Sequence, residues 1–401
     1  MSDSALIEEH YASSRERYAA LGIDTEKALA ALCRIPISLQ CRPEPDTPDA
    51  ARAGIPGLRE DLHEALRLIP APHRLGLCAV HAESTDGPPE RNVLEPAHFR
   101  RWVEWAKQEG VKLDLSAACY GHPLAVSGFT LSHPEKDVRR FWTEHVRRSR
   151  KISAFIGREL KTPCIHTLHI PDGSAGEAPF DRWARRELLR ESLDEVFEAE
   201  HSPSQMKDAL EFRPAGGEAF LVASMDFCMG YAMSRGKLFG LSLGRSLSAE
   251  SAADRISALL QFSDEVLVRL SGDAPWEDSR NGLPDDGTLA LAREIIRGGA
   301  SDRVHIGLED SGSGPFRAGA WAAGGRAMLK TLLIALLEHK AGPLPGPEAK
   351  GDAGRPLAEA LRGLPFKAVW DQHCLRSGVP PSAKWRAEVA GYEKRKRGHQ
   401  P

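Results

Sequence analysis

Eight short apolar runs, each followed by a longer amphipathic stretch, limit this chain more than any other feature. The runs are RIPISLQC (34–41), RLGLCAVHA (74–82), VKLDLSAAC (111–119), CIHTLHI (164–170), DALEFRPA (208–215), LFGLSLG (238–244), EVLVRLS (265–271) and RVHIGLE (303–309). Strands buried on both faces read as near-continuous apolar runs, and parallel neighbours need a crossover of helical length between them. Eight such units close into a (β/α)8 TIM barrel, α/β in class. The intervening stretches have the matching period. Residues 95–109 place Phe99, Trp102, Val103 and Ala106 at helical spacing and stop at Gly110. Residues 135–158 carry Val138, Phe141, Trp142, Val146, Ile152 and Phe155, and 182–199 carry Leu188, Leu189, Leu193 and Phe197. The stretch 318–338 is the most apolar, as expected of a helix packed on the barrel or on another subunit.

Two helices, over 5–20 and after Asp24, lead into the first strand. The expected organisation is N-terminal helices over 1–33, the barrel over 34–340, a flexible linker over 341–355 and a C-terminal helical region over 356–401. Its basic tail, Lys394-Arg395-Lys396-Arg397, reads as a frayed, solvated terminus. Residues 42–58 hold four prolines and read as an exposed loop.

A formal charge of -3, from 53 basic and 56 acidic residues, gives no electrostatic footprint for nucleic acid or an anionic membrane. No unbroken apolar run reaches the roughly 18 residues that span a bilayer. The N-terminus lacks the basic start and apolar core of a signal peptide. The seven cysteines are scattered, odd in number and free of CxxC pairs, as suits buried thiols in a reducing compartment. A cytoplasmic protein is expected.

In such a barrel, chemistry sits at the C-terminal ends of the strands. The first four runs end near Cys41, His81, Tyr120 with His122, and His169 with Asp172. The last four end near Glu211 with Arg213, Ser242 with Arg245, Arg269, and Glu309, and Trp276, Glu277, Asp278 and Ser279 follow the seventh. Metal catalysis on sugars needs convergent carboxylates and imidazoles. The later strand ends offer arginine instead, which is always charged and has no lone pair for a metal. Arg245 and Arg269 read either as ordinary rim ion pairs or as fixed cations standing in for lost metal ions, paired with Glu211, Glu277 or Glu309. His122 and His169, each beside a turn, read either as buried, carbonyl-held imidazoles or as pocket residues. No GxGxxG, P-loop, HExxH or GxSxG occurs in a supporting context. The glycines of WAAGGR (321–326) read as tight helix packing.

The segments LREDLHEALRLIPAPHRLGLCAVHAES (58–84), AHFRRWVEWAKQEGVKLDLSAACYGHPLAVSGFTLSHPE (97–135), IPDG (170–173), MGYAMSR (229–235) and DRVHIGL (302–308) resemble L-rhamnose isomerases, and the likeness runs over almost the whole chain. The resemblance implies the fold of a metal-dependent aldose–ketose isomerase, a homotetramer, and C-terminal helices that join in subunit packing. It also implies where metal ligands would lie. The family's structural metal, held by glutamate, aspartate, histidine and aspartate from strands five to eight, would meet Glu211, Ser242, Arg269 and Glu309 here. Its catalytic metal would meet Ser242, Arg245 and a pair after Trp276 that falls on Glu277 and Ser279, with Asp278 one residue out of step. The family's lysine two residues past the strand-five glutamate is Arg213. Cys41-Arg42 and a shorter proline-rich stretch replace an aromatic-rich loop that helps close the pocket.

Most implied metal ligands are therefore replaced. The expected protein has lost metal-dependent isomerisation and needs no cofactor. It binds a small sugar or serves as a non-catalytic subunit, in a homo-oligomer or alongside an intact isomerase. The alternative is an active isomerase, with Mn(2+) or another divalent ion in an atypical site. A metal-free isomerase or epimerase would use Glu211, Glu277, Glu309 or His122 as base.

Overall fold

The computed structural model describes residues 3–41, 55–70, 73–85, 87–174, 181–214, 220–243, 249–271, 286–309, 317–340, 363–381 and 384–398. All eight expected strands form. They are β1 (Ile37–Gln40), β2 (His73–Cys78), β3 (Lys112–Ala118), β4 (Cys164–His169), β5 (Met206–Phe212), β6 (Leu238–Leu243), β7 (Val266–Ser271) and β8 (Val304–Glu309). Each pairs in parallel with its sequence neighbours, and β8 pairs with β1 to close the barrel. The strands are shorter than the apolar runs for local reasons. Pro36 has no amide to donate, so β1 begins after it. The run through β2 leaves the sheet at a 3-10 turn, Ala79–His81.

Around the barrel lie α1 (Asp3–Ala19), α2 (Thr25–Leu32), α3 (Ile55–Leu66), α4 (Arg100–Glu109), α5 (Lys136–Leu160), α6 (Arg182–Phe197), α7 (Met225–Ser234), α8 (Ala249–Leu259), α9 (Asp286–Arg297) and α10 (Arg317–Lys340). Two more, α11 (Phe366–Arg376) and α12 (Lys384–Gly398), follow the barrel. Their ends carry the expected signals. The Asp24 carboxylate accepts from Lys27 N at 3.1 Å and caps α2. Gly110 takes φ 70 to end α4. Tight helix packing holds at Gly325, where a Cβ would come within 2.9 Å of Ile69.

Three expectations need correction. The stretch 42–58 is not loop throughout: α3 starts at Ile55, and Leu58, Leu62 and Ala65 turn one face into the core. Residues 42–54 and the expected linker lie outside the described residues. The basic tail is not frayed, because it continues α12 and Lys396 is tied to the buried carboxylate of Asp61. Finally, Arg317–His339 is long and apolar enough to cross a bilayer, although Arg326 and Lys330 interrupt the run in sequence. Some 72% of its apolar window is buried within the protein, so the core accounts for that composition.

Candidate functional site

Side chains alternate across a strand, so every second residue enters the barrel bore. Near the N-terminal end Ile165, Ala209 and Leu267 form a small apolar cluster, beside a cavity of about 290 Å³ that runs from Arg34 and Asp302 up to Gln40 and Arg269. Above them, where branched apolar residues usually fill such barrels, this one is polar. Ser38 and Gln40 from β1, Asp114 and Ser116 from β3, Thr167 from β4 and Arg269 from β7 line the interior. Two glycines make room for the long ones. A Cβ on Gly76 would fall 2.0 Å from Gln40 Oε1, and one on Gly307 would fall 3.0 Å from Arg269 Cγ.

The bore opens at the C-terminal strand ends into a cavity of about 230 Å³. Gln40, Tyr120, His169, Glu211, Arg213, Arg269 and Glu309 are among its walls. Two guanidinium groups meet two carboxylates there. Arg269 Nη1 lies 3.3 Å from both Glu211 Oε2 and Glu309 Oε1. Its Nη2 donates to Thr167 Oγ1 at 2.8 Å and Ser116 Oγ at 3.1 Å. Arg213 Nη1 donates to Glu309 Oε2 at 2.8 Å, while Nη2 reaches Glu309 Oε1 and, at 3.3 Å, Glu211 Oε1. Burial opposes the charge on Arg269, but attraction from Glu211 and then Glu309 outweighs it and raises its pKa above the usual arginine value. Glu211, Arg269 and Glu309 are all buried, and the quartet is formally neutral.

These residues do not fit a divalent metal. The Arg269 guanidinium is already paired with both carboxylates and would repel the ion. Ser242 lies opposite Arg269 in the β6–β7 register and brings no carboxylate. Among the described residues no group of three or more His, Cys, Asp or Glu side chains is placed to hold a metal. Arg245, Trp276, Glu277, Asp278 and Ser279 lie outside the described residues.

Of the earlier strand-end candidates, Cys41, Tyr120 and His169 line the cavity, and His81, His122 and Asp172 do not. The His81 ring lies under the rim, where Nδ1 accepts from Cys78 N at 3.0 Å and burial pushes its pKa down to about 4. His122 stacks on Phe141 with ring centroids 4.8 Å apart and bonds Glu90 at 3.0 Å. Its Nδ1 accepts from Leu124 N, so the ring caps a local turn. Asp172 accepts from Ser132 N at 2.8 Å, Ser132 Oγ at 2.6 Å and Thr130 Oγ1 at 2.5 Å, which pins one loop. Sequence reasoning missed Gln40, Ser116 and Thr167 as site residues. Their signal was the period-two recurrence of polar residues inside apolar strands, as in Ser38 with Gln40 and Asp114 with Ser116.

A larger cavity of about 490 Å³ opens at the opposite end of the barrel. Its buried charges are paired with each other, Arg150 with Asp208 at 3.0 Å. Position and chemistry both favour the cavity at the C-terminal strand ends as the site.

Residues 44–397 match the sequence profile of the family described as L-rhamnose isomerase (RhaA). L-rhamnose isomerase of Salmonella paratyphi A is 40% identical over 411 residues, spanning 97% of either chain. The Shigella sonnei protein of that name is 39% identical over the same share. Among solved structures, D-psicose 3-epimerase of Clostridium cellulolyticum H10 superposes with TM-score 0.47 at 10% identity, covering 77% of this chain and 99% of its own. A D-tagatose 3-epimerase-like protein gives TM-score 0.45 at 13% identity, covering 67% and 91%.

Proposed function

The chain belongs to the L-rhamnose isomerase family, and from that premise we propose that it is a member that binds a small neutral sugar without isomerising it. The arginine–carboxylate quartet carries this reading. Isomerisation in the family relies on a divalent ion to polarise adjacent sugar oxygens, a contribution worth several kcal/mol. Here Arg269 engages the carboxylates that would hold that ion. A guanidinium donates hydrogen bonds but presents no open coordination position. The cavity still offers both donors and acceptors to hydroxyl groups. Its volume of about 230 Å³ lies below the usual range for drug-sized ligands and suits a monosaccharide. Net neutrality within the quartet favours an uncharged ligand. All seven cysteines are free thiols, in keeping with a cytoplasmic protein. The family's assembly suggests a homo-oligomer, by precedent a tetramer.

The test is metal content after purification in manganese, with L-rhamnose turnover and calorimetric sugar titration on the same sample. Sugar binding without stoichiometric metal or turnover is expected. Stoichiometric manganese with turnover would establish the second reading, an active isomerase with an atypical metal set, which the 40% identity to a named L-rhamnose isomerase favours. Absence of both binding and turnover leaves a structural subunit, tested by co-purification with an intact isomerase.

A further inference from the structure

Far from the barrel mouth, α10 presents two cations one turn apart, Arg326 and Lys330, to the C-terminal helices. Arg326 is 2% exposed, and its guanidinium carbon lies 5.4 Å from the ring centres of both Trp370 and Trp385. Lys330 Nζ lies 5.5 Å from the Trp370 ring. Arg326 donates to Leu68 O at 2.6 Å, to Pro380 O at 3.1 Å and to Cys374 Sγ at 3.4 Å. None of these acceptors is charged, because burial pushes the Cys374 thiol up to about 11. Among the described residues neither cation has a carboxylate within ion-pair distance. The nearby carboxylate is Asp371, paired with Lys367 at 2.7 Å, and it attracts both cations from farther off.

A desolvated charge with only a distant, shared counter-ion is costly, and two of the same sign cost more. Burial lowers the pKa of both groups, and Arg326 lowers that of Lys330 further. Arg386, stacked 5.6 Å from the Trp385 ring, adds a third cation. His373, held neutral by burial with a pKa of about 4, adds none near neutral pH. The same seam holds buried polar atoms without partners: Arg326 Nε, Trp370 Nε1 and His373 Nε2. Two of those are N–H donors. Among the described residues, more positive charge than the one shared carboxylate offsets, together with unused donors, asks for further anionic acceptors at this place.

We propose that the seam between α10 and the C-terminal helices is a binding site for a small oxyanion of the phosphate class, held by Arg326 and Lys330. The ligand neutralises both cations and fastens α11 and α12 to the barrel.

The test uses the full chain and inorganic phosphate as probe, with chloride at equal ionic strength as reference. Thermal midpoints are compared for the unmodified protein, Lys330→Gln and the exposed control Lys136→Gln. Phosphate also stabilises proteins in general by exclusion from their surface, so the difference between variants is the readout. The unmodified protein and the control should show a saturable rise over the millimolar range, with the rise in Lys330→Gln at least threefold smaller. In chloride alone, Lys330→Gln should melt no lower than the unmodified protein, because it removes a charge that burial and Arg326 both oppose. Calorimetry should find about one phosphate per chain. An equal rise in all three proteins would overturn the site. So would a midpoint governed by protein concentration in place of phosphate, which would give the seam to a second copy.

Discussion

At the scale of single residues, the quartet sets the sharpest expectation. Arg269→Leu removes the cation that holds Glu211 and Glu309 together, leaving Arg213 as the remaining cation of the described quartet. Breaking a buried ion pair from one side typically costs about 3–5 kcal/mol, and denaturant unfolding at neutral pH should register a loss of that order. A change below about 1 kcal/mol would mean that Arg269 is not the counter-ion of this site. A second expectation concerns acid. With its folded pKa near 4 against an ordinary 6.5, His81 binds no proton in the folded protein over that window, whereas the unfolded chain does. Stability should therefore fall as pH drops from about 6.5 to about 4, by on the order of 1 kcal/mol per pH unit. His81→Gln keeps an acceptor for Cys78 N and should reduce that slope by its own share, with the buried His145 and His373 supplying further shares. Glu211, Arg269 and Glu309 were legible because they fall at strand ends. The structural roles of His81, His122 and Asp172 were not, because each is set by tertiary packing or by a partner more than 30 residues away, such as Glu90 or Thr130.

Among elements, helices and strands were readable where apolar period and stop signals agreed, as in α4 with its terminal Gly110. Reading failed where composition misled. Pro56 and Gly57 made residues 55–58 look like loop, although proline is favourable in a first helical turn. How tightly an element approaches its neighbour was not legible at all. Gly157 in α5 shows this: a Cβ there would lie 1.7 Å from the backbone carbonyl of Gln205, just before β5. Gly157→Ala should force α5 off the barrel and cost about 1–3 kcal/mol or more. Gly230 in α7 has nothing within 4 Å of its Cβ position. Gly230→Ala should stabilise by about 0.5–1 kcal/mol through helix propensity and reduced freedom of the unfolded chain. The two midpoints should move in opposite directions, and a common direction would show that helix propensity decides both.

For the molecule as a whole, the two ends of the chain clasp one another across the barrel. Arg376 of α11 pairs with Glu26 of α2 at 2.6 Å. Ser14 and Arg17 of α1 donate to the carbonyls of Pro365 and Gly363 at 3.3 and 3.1 Å. On α12, Tyr392 donates to Asp61 of α3 at 2.8 Å, and Glu388 accepts from Arg67 at 2.8 Å. Such contacts join residues more than 300 positions apart, so a linear reading sees only an appendage behind a linker. Burial argues for a shared core instead, since Val369, Trp370, Trp385 and Val389 are buried against the same cluster as the barrel helices. Each such side chain contributes roughly 1.5–3 kcal/mol. Ending the chain after residue 363 should therefore lower the melting midpoint by at least about 5 °C and expose apolar surface on α10. Scanning calorimetry of the full chain should show one transition containing both ends. A truncated protein that melts where the full chain does, or a second transition in the full chain, would make α11 and α12 an independent unit and remove the reason for Arg326 to be buried.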